Sequence, residues 1–278
     1  MKKALYLFII FIISLNLYSY TDDEMSLAKA LINRNEKLAI ELLNEKRINI
    51  NARFEEGITL LMLAAKNNMC NIAYILIENG AEINDKDDEG WSALSFAALY
   101  ESEEMVKLLL SNGANVNIRD NVEWTPLFLS AVKNNINITY ILLNNGADIN
   151  AKSKRGTSVL MRAAQENNVE VIQFLIEKGA DIDAKDYDGL NALNYAIMNE
   201  KAEAAEVLIL EGIDVNVQDN DGFTPLMHAI SNRNDEIILM ILTYSNVDLT
   251  MKNKDQMTAY DIAIAKGYYD IAIKLKVN

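Results

Sequence analysis

Two short acidic loops, Asp186-Tyr187-Asp188-Gly189 and Asp219-Asn220-Asp221-Gly222, carry the carboxylate spacing of a calcium-binding turn. A helix-flanked calcium loop also needs an acidic ligand two residues before this string and a Glu six residues after its glycine. Those places hold Ala184 and Tyr195 in one loop and Val217 and His228 in the other, so both loops are incomplete. His228 and Cys70 are the single His and the single Cys of the chain. A zinc site of Cys and His needs several such ligands, and one thiol makes no intrachain disulfide. No motif fixes a nucleophile beside His228, which reads as a structural histidine. Cys70 reads as a small buried hydrophobe, because the equivalent positions in the repeats described below are Ile136, Val169 and Ala202. The expectation is therefore no metal, no cofactor and no catalysis.

Charge narrows the partners. The 278-residue chain has a net charge of −14. Phosphate backbones and anionic membrane surfaces are held by Lys and Arg, so neither is expected as a partner. Half of the residues are hydrophobic, enough for a sizeable core, and Pro is limited to 2 residues with no Gly/Ser-rich linker.

The elements that position these residues repeat. Gly57, Gly90, Gly156, Gly189 and Gly222 share a step of 33 residues, with Glu123 filling the gap. Gly80, Gly113, Gly146, Gly179 and Gly212 keep the same step, each opening a string such as the Gly-Ala-Asn-Val-Asn that ends at Asn117. Around Gly90 the chain turns and Ser92-Ala93-Leu94 starts a short helix. A second helix carries Met105, Val106 and Leu109 at helical spacing and ends at Gly113, a C-cap glycine. Neither helix buries its apolar face alone, so successive units must stack.

This layout resembles the ankyrin repeat. The family's Thr-Pro-Leu-His helix start stands here as Thr125-Pro126-Leu127-Phe128 and Thr224-Pro225-Leu226-Met227, with degenerate versions such as Thr59-Leu60-Leu61-Met62 and Asn191-Ala192-Leu193-Asn194. The His of that motif is absent from every unit, so its hydrogen bonds must be replaced or lost. The resemblance implies an all-α repeat solenoid of helix-turn-helix units with β-hairpin-like loops. Residues 20–53 are expected as an N-terminal capping repeat without a clear helix start, 54–252 as six ankyrin repeats, and 253–278 as a C-terminal capping repeat. One residue is inserted between Asn234 and Leu242, which puts Thr258-Ala259-Tyr260 one step late. Lys274 and Lys276 give the last helix a wet outer face, as a terminal repeat requires.

The resemblance also implies a non-catalytic scaffold that binds a protein partner with a concave face lined by hairpin tips and first helices. The slot just after the turn glycine holds Ile58, Trp91, Trp124, Thr157, Leu190 and Phe223, so both tryptophans of the chain occupy it in adjacent units. Leu99 and Tyr100 end a first helix on the same side, and Tyr187 sits at a hairpin tip. Trp91, Leu99, Tyr100, Trp124, Tyr187, Leu190 and Phe223 are the candidate partner-binding residues. Two readings stand: binding hot spots, or side chains that cover their own hairpins. A monomer is expected.

The first residues differ in kind. Lys2-Lys3 precedes the apolar run from Ala4 to Ser14, with Ser19 as a small residue near a cut site. Residues 1–19 therefore read as a secretory signal peptide, giving an exported, periplasmic or secreted protein, with a bacterial source expected. The alternative is a membrane-tethered scaffold in which residues 1–20 stay as an anchor, although the run is shorter than the roughly 20 residues of a spanning helix.

Overall fold

The computed structural model describes residues 20–277, except Lys46 and Ser245. The expected signal segment, residues 1–19, lies outside the described residues. The elements are α1 (Asp22–Ile32), α2 (Glu36–Glu45), α3 (Leu60–Lys66), α4 (Cys70–Glu78), α5 (Ala93–Leu99), α6 (Glu103–Ser111), α7 (Pro126–Val132) and α8 (Ile136–Asn144). The second half continues with α9 (Val159–Glu166), α10 (Val169–Glu177), α11 (Ala192–Met198), α12 (Ala202–Leu210), α13 (Pro225–Ser231), α14 (Asp235–Tyr244), α15 (Ala259–Ala265) and α16 (Tyr269–Val277). Odd-numbered helices pack on odd and even on even, so the chain is two rows of stacked helices with hairpin-like loops at the end of the odd row. Among the described residues there is no strand, only isolated bridges such as Arg53 with Thr59. The fold is an all-α repeat solenoid.

The core follows the repeat. Leu76, Leu109, Leu142, Leu175, Leu208 and Ile241, one per second helix from α4 to α14, are all 0% exposed. First helices contribute buried Ala pairs, Ala64-Ala65, Ala97-Ala98 and Ala163-Ala164, whose small side chains let neighbouring helices approach closely. The buried positions of α14, Ile237, Ile238 and Ile241, keep the phase of Ala204, Ala205 and Leu208 in α12. The extra residue expected between Asn234 and Leu242 therefore enters after Ile241, lengthening α14 at its C-terminal end.

Three ladders of hydrogen bonds join consecutive loops. Backbone amides link hairpin to hairpin: Asp88 N to Glu56 O at 2.8 Å, Asn121 N to Glu89 O at 2.9 Å, Asn220 N to Asp188 O at 2.8 Å. The Asn that ends each Gly-Ala-x-x-Asn string bridges to the next unit: Asn84 donates Nδ2 to Gly113 O (3.2 Å) and accepts Asn115 N on Oδ1 (2.7 Å). Asp183 holds the same slot and keeps only the acceptor half, toward Asp214 N at 2.8 Å. A basic column caps carbonyls one repeat on, with Lys86 Nζ donating to Arg119 O at 2.7 Å and Arg119 Nη1 to Lys152 O at 3.0 Å. Side chains whose polar atoms are used this way fix the stacking register.

Helix starts explain the missing His. Thr59, Ser158 and Thr224 accept the N3 backbone amide, while the sulfurs of Met62, Met161 and Met227 take the N-cap amide in return. Asn194 Oδ1 and the Asp261 carboxylate do the same for Asn191 and Thr258. Phe128 offers no acceptor, and Thr125 Oγ1 is buried without a hydrogen bond. Thr224→Val is therefore expected to cost about 1 kcal/mol, through loss of a cap. Thr125→Val should cost nothing or stabilise, since it removes an unpaired buried hydroxyl. Thermal melts of the two variants check the contrast, and equal destabilisation would contradict it.

The N-terminal repeat corrects one expectation. It does have a helix start: Thr21 and Glu24 form a capping box, with Glu24 N donating to Thr21 Oγ1 at 3.2 Å and Thr21 N to Glu24 Oε2 at 2.7 Å. The pattern Thr-x-x-Glu in the sequence was the signal for it. Tyr20 packs its ring against Phe54 at 5.2 Å, tying the start of the described chain to the next unit.

Candidate partner-binding face

Four hairpins are closed by one Asp side chain each. Asp87 Oδ1 accepts the amides of Glu89 (3.0 Å) and Trp91 (2.7 Å), and Asp120 Oδ1 those of Val122 (2.9 Å) and Trp124 (2.8 Å). Asp186 and Asp219 repeat the pattern, and their second oxygens bond Tyr195 Oη and His228 Nε2, both at 2.8 Å. Two of the four carboxylates that resembled calcium ligands, those of Asp186 and Asp219, are thus committed to the turn. Tyr195 and His228 occupy equivalent positions, and each bonds the closing Asp of its own hairpin, a pairing that the sequence alone did not show. Burial beside Asp186 pushes the Tyr195 phenol up to about 12.

The same Asp carboxylates govern the response to pH. Burial holds the carboxyls of Asp87 and Asp120 above the usual range, and backbone donors only partly offset it. A carboxyl raised in the folded state favours folding while protonated, and its contribution falls as pH rises from the unfolded value through the folded one. Asn253 fills the corresponding slot of the last unit and accepts Met257 N at 3.0 Å without a charge. The double variant Asp87→Asn, Asp120→Asn is therefore expected to gain stability over the parent at pH 7 and to lose that advantage below the carboxylate range. Melts at both pH values check this, and a loss at pH 7 would contradict it.

Just after the closing Asp stand the tryptophans. Trp91 is half-buried, its ring 5.5 Å from Phe96, which in turn stacks on Tyr100 at 6.5 Å. Lys66 Nζ lies 5.8 Å from the Tyr100 ring and 6.0 Å from that of Phe96. Trp124, also half-buried, stacks on buried Phe128 at 6.0 Å and carries the Arg162 guanidinium at 4.9 Å. Among the described residues the two indoles make no ring contact with each other, and each anchors its own unit. Tyr100 is 49% exposed and Tyr187 71%, while Leu99 is half-buried beside Tyr100. Leu190 and Phe223 are half-buried, Phe223 facing His228 at 5.3 Å. The candidates come from hairpins and first helices and fall into separate groups, of which Trp91, Phe96 and Tyr100 form one chain of ring contacts.

A family model described as ankyrin repeats (3 copies) matches residues 8–87, 27–120, 61–153, 111–186, 128–219 and 193–276. The chain belongs to the ankyrin repeat family. No curated protein matches the chain. The ankyrin match begins at residue 8, inside the segment read as a signal peptide, and the described fold begins at Tyr20. Ankyrin repeats are in general protein–protein interaction modules of non-catalytic scaffolds. Among the described residues no helix is long and apolar enough to cross a membrane, and no group of His, Cys, Asp and Glu is arranged to hold a metal ion.

Cys70 differs from its expected burial. At the start of α4 it is half-buried and contacts Asn68 Oδ1 at 3.4 Å, and burial pushes its thiol above the ordinary value. The first residue of a second helix sits at the edge of the stack in each unit, and Ile136 is 36% exposed there.

Proposed function

We propose that this ankyrin protein is a binding scaffold that docks a protein partner on its hairpin and first-helix face outside the cytoplasm. One observation carries the reading: Trp91, Phe96 and Tyr100 form a continuous run of ring contacts, partly exposed at Trp91 and Tyr100, beside a hairpin whose amides are already satisfied by Asp87. Such a surface gains affinity by excluding water from large rigid rings, with little ordering cost. The catalytic alternative needs converging titratable groups in a pocket, and the groups with raised values, Cys70, Asp87, Asp120 and Tyr195, stand in four different units.

Export rests on Lys2-Lys3 and the apolar run that follows. N-terminal sequencing of the native protein tests it: a start near Tyr20 supports secretion. A start at Met1 in the membrane fraction supports the tethered scaffold. The binding reading is tested by isolating the native partner and measuring its affinity for the parent and for Trp91→Ala, Trp124→Ala. Unchanged affinity in the folded double variant would remove this site.

A further inference from the structure

The hairpin tips form a row with an uneven charge. In chain order they read Glu55-Glu56, Asp88-Glu89, Asn121-Val122, Lys154-Arg155, Tyr187-Asp188, Asn220-Asp221 and Lys254-Asp255. The backbone ladder makes successive tips spatial neighbours: Lys154 N donates to Val122 O and Tyr187 N to Arg155 O, both at 3.1 Å. One tip alone is doubly basic. Lys154 and Arg155 are exposed, and among the described residues neither side chain has an ion pair or hydrogen bond. Lys254, at the last tip, faces Asp221 at 3.9 Å.

Further groups converge on that tip. The Tyr187 ring lies against Gly156, where an added Cβ would meet it at 2.9 Å. On the preceding unit Trp124 carries Arg162, whose Nη1 donates to Gln165 Oε1 at 2.9 Å and whose Nη2 pairs with Glu166 at 3.2 Å, so that guanidinium is held within the chain. Residues 119–162 hold six basic and three acidic side chains, so a local excess of +3 stands in a chain of net charge −14.

We propose that the occupant of this face is an extended acidic polypeptide segment whose carboxylates seat on Lys154 and Arg155 and whose apolar side chains lie along Trp124 and Tyr187. The inference rests on the binding function proposed above and names the chemistry of the partner. Guanidinium groups recognise carboxylates in paired geometry, and that of Arg155 is exposed and gives up no partner among the described residues. The acidic tips on either side limit the length of anionic ligand that fits. A nucleic acid strand carries a phosphate at every nucleotide and would run onto Asp88-Glu89 or Asp188. A peptide with one short run of Asp and Glu ends before reaching them.

The test uses the full chain and three probes of matched length. These are a synthetic peptide rich in Asp and Glu with one Tyr, the same peptide with Asn and Gln in place of the acids, and a single-stranded oligodeoxynucleotide. Titration is followed by tryptophan fluorescence. The acidic peptide should bind at least about tenfold more tightly than its neutral form, with affinity falling as salt rises. Lys154→Glu, Arg155→Glu should loosen it by about tenfold or more, and the neutral pair Lys154→Gln, Arg155→Gln by less. Lys107→Glu, on the opposite face in α6, should leave it unchanged. Circular dichroism melts verify that each variant folds. Equal affinity for the acidic and neutral peptides, no response to charge reversal, or tighter binding of the oligonucleotide would overturn the proposal. If it falls while Trp91→Ala, Trp124→Ala still weakens the native partner, the binding function stands and only the partner's chemistry is withdrawn.

Discussion

Leu109→Ala or Leu175→Ala is expected to lower stability by roughly 2–5 kcal/mol, because each side chain is 0% exposed in the middle of a second helix. The cost has two parts: lost transfer free energy of the deleted atoms, and a cavity between helices that a stacked array only partly collapses. A solenoid adds a further consequence. Each unit touches only its neighbours, so weakening a central interface lowers the coupling between the two halves. The unfolding transition should then broaden or split, with the weaker segment melting first. Leu109 lies in α6 and Leu175 in α10, so the two variants place the weak interface at different points of the array. Calorimetry of both, with amide exchange to place the early melting, checks the register. Melting curves identical to the parent would show that these leucines are not in the core.

The largest effect on binding is expected from Trp91→Ala combined with Trp124→Ala. Truncating a buried interface tryptophan costs about 2 kcal/mol or more at a hot spot, so each substitution should weaken the partner about thirtyfold or more. The stability cost should be smaller, about 1 kcal/mol each, since the rings are half-buried and each makes one aromatic pair within its unit. Trp124→Ala also strips the Arg162 guanidinium of its aromatic partner. If the tryptophans only cover their hairpins, the pattern inverts: stability falls and affinity holds. Both quantities measured on one protein separate the two readings.

Much of the fold could be read from the sequence because its signals are local or periodic. The paired glycine series gave the repeat length, the apolar spacing of Met105, Val106 and Leu109 gave a second helix, and Thr or Ser before the first helix gave its start. The first is a strict period, and the other two depend on residues within a turn or two of one another. The bonds between units were not legible, since they join side chains about one repeat apart. Asn84 was visible as a repeated letter, yet its bridge to Gly113 and Asn115 depends on how the next unit stacks. Glu123 shows the same limit. It stands in a glycine slot and adopts φ 64°, the left-handed conformation that the slot requires, with Arg119 paired to its carboxylate at 3.2 Å.

The candidate site was legible by slot but not by grouping. The sequence placed Trp91 and Trp124 at equivalent positions. It did not show that Phe96 and Tyr100 would join the first, or Phe128 and Arg162 the second, because those contacts depend on side-chain directions within and between units. The charge of the hairpin tips was present in the sequence throughout. It acquires meaning only when the backbone ladder sets those tips side by side, so that Lys154-Arg155 becomes a break in an otherwise acidic or neutral row.

Hydrogen exchange of the full chain, free and saturated with its native partner, tests the central claim most directly. A partner docked on the hairpin and first-helix face should slow exchange in residues 87–91 and 120–124 and in α5 and α7, leaving α6 and α8 as in the free protein. Protection confined to α6 and α8, with the hairpins unchanged, would place the partner on the opposite row of helices and contradict the account.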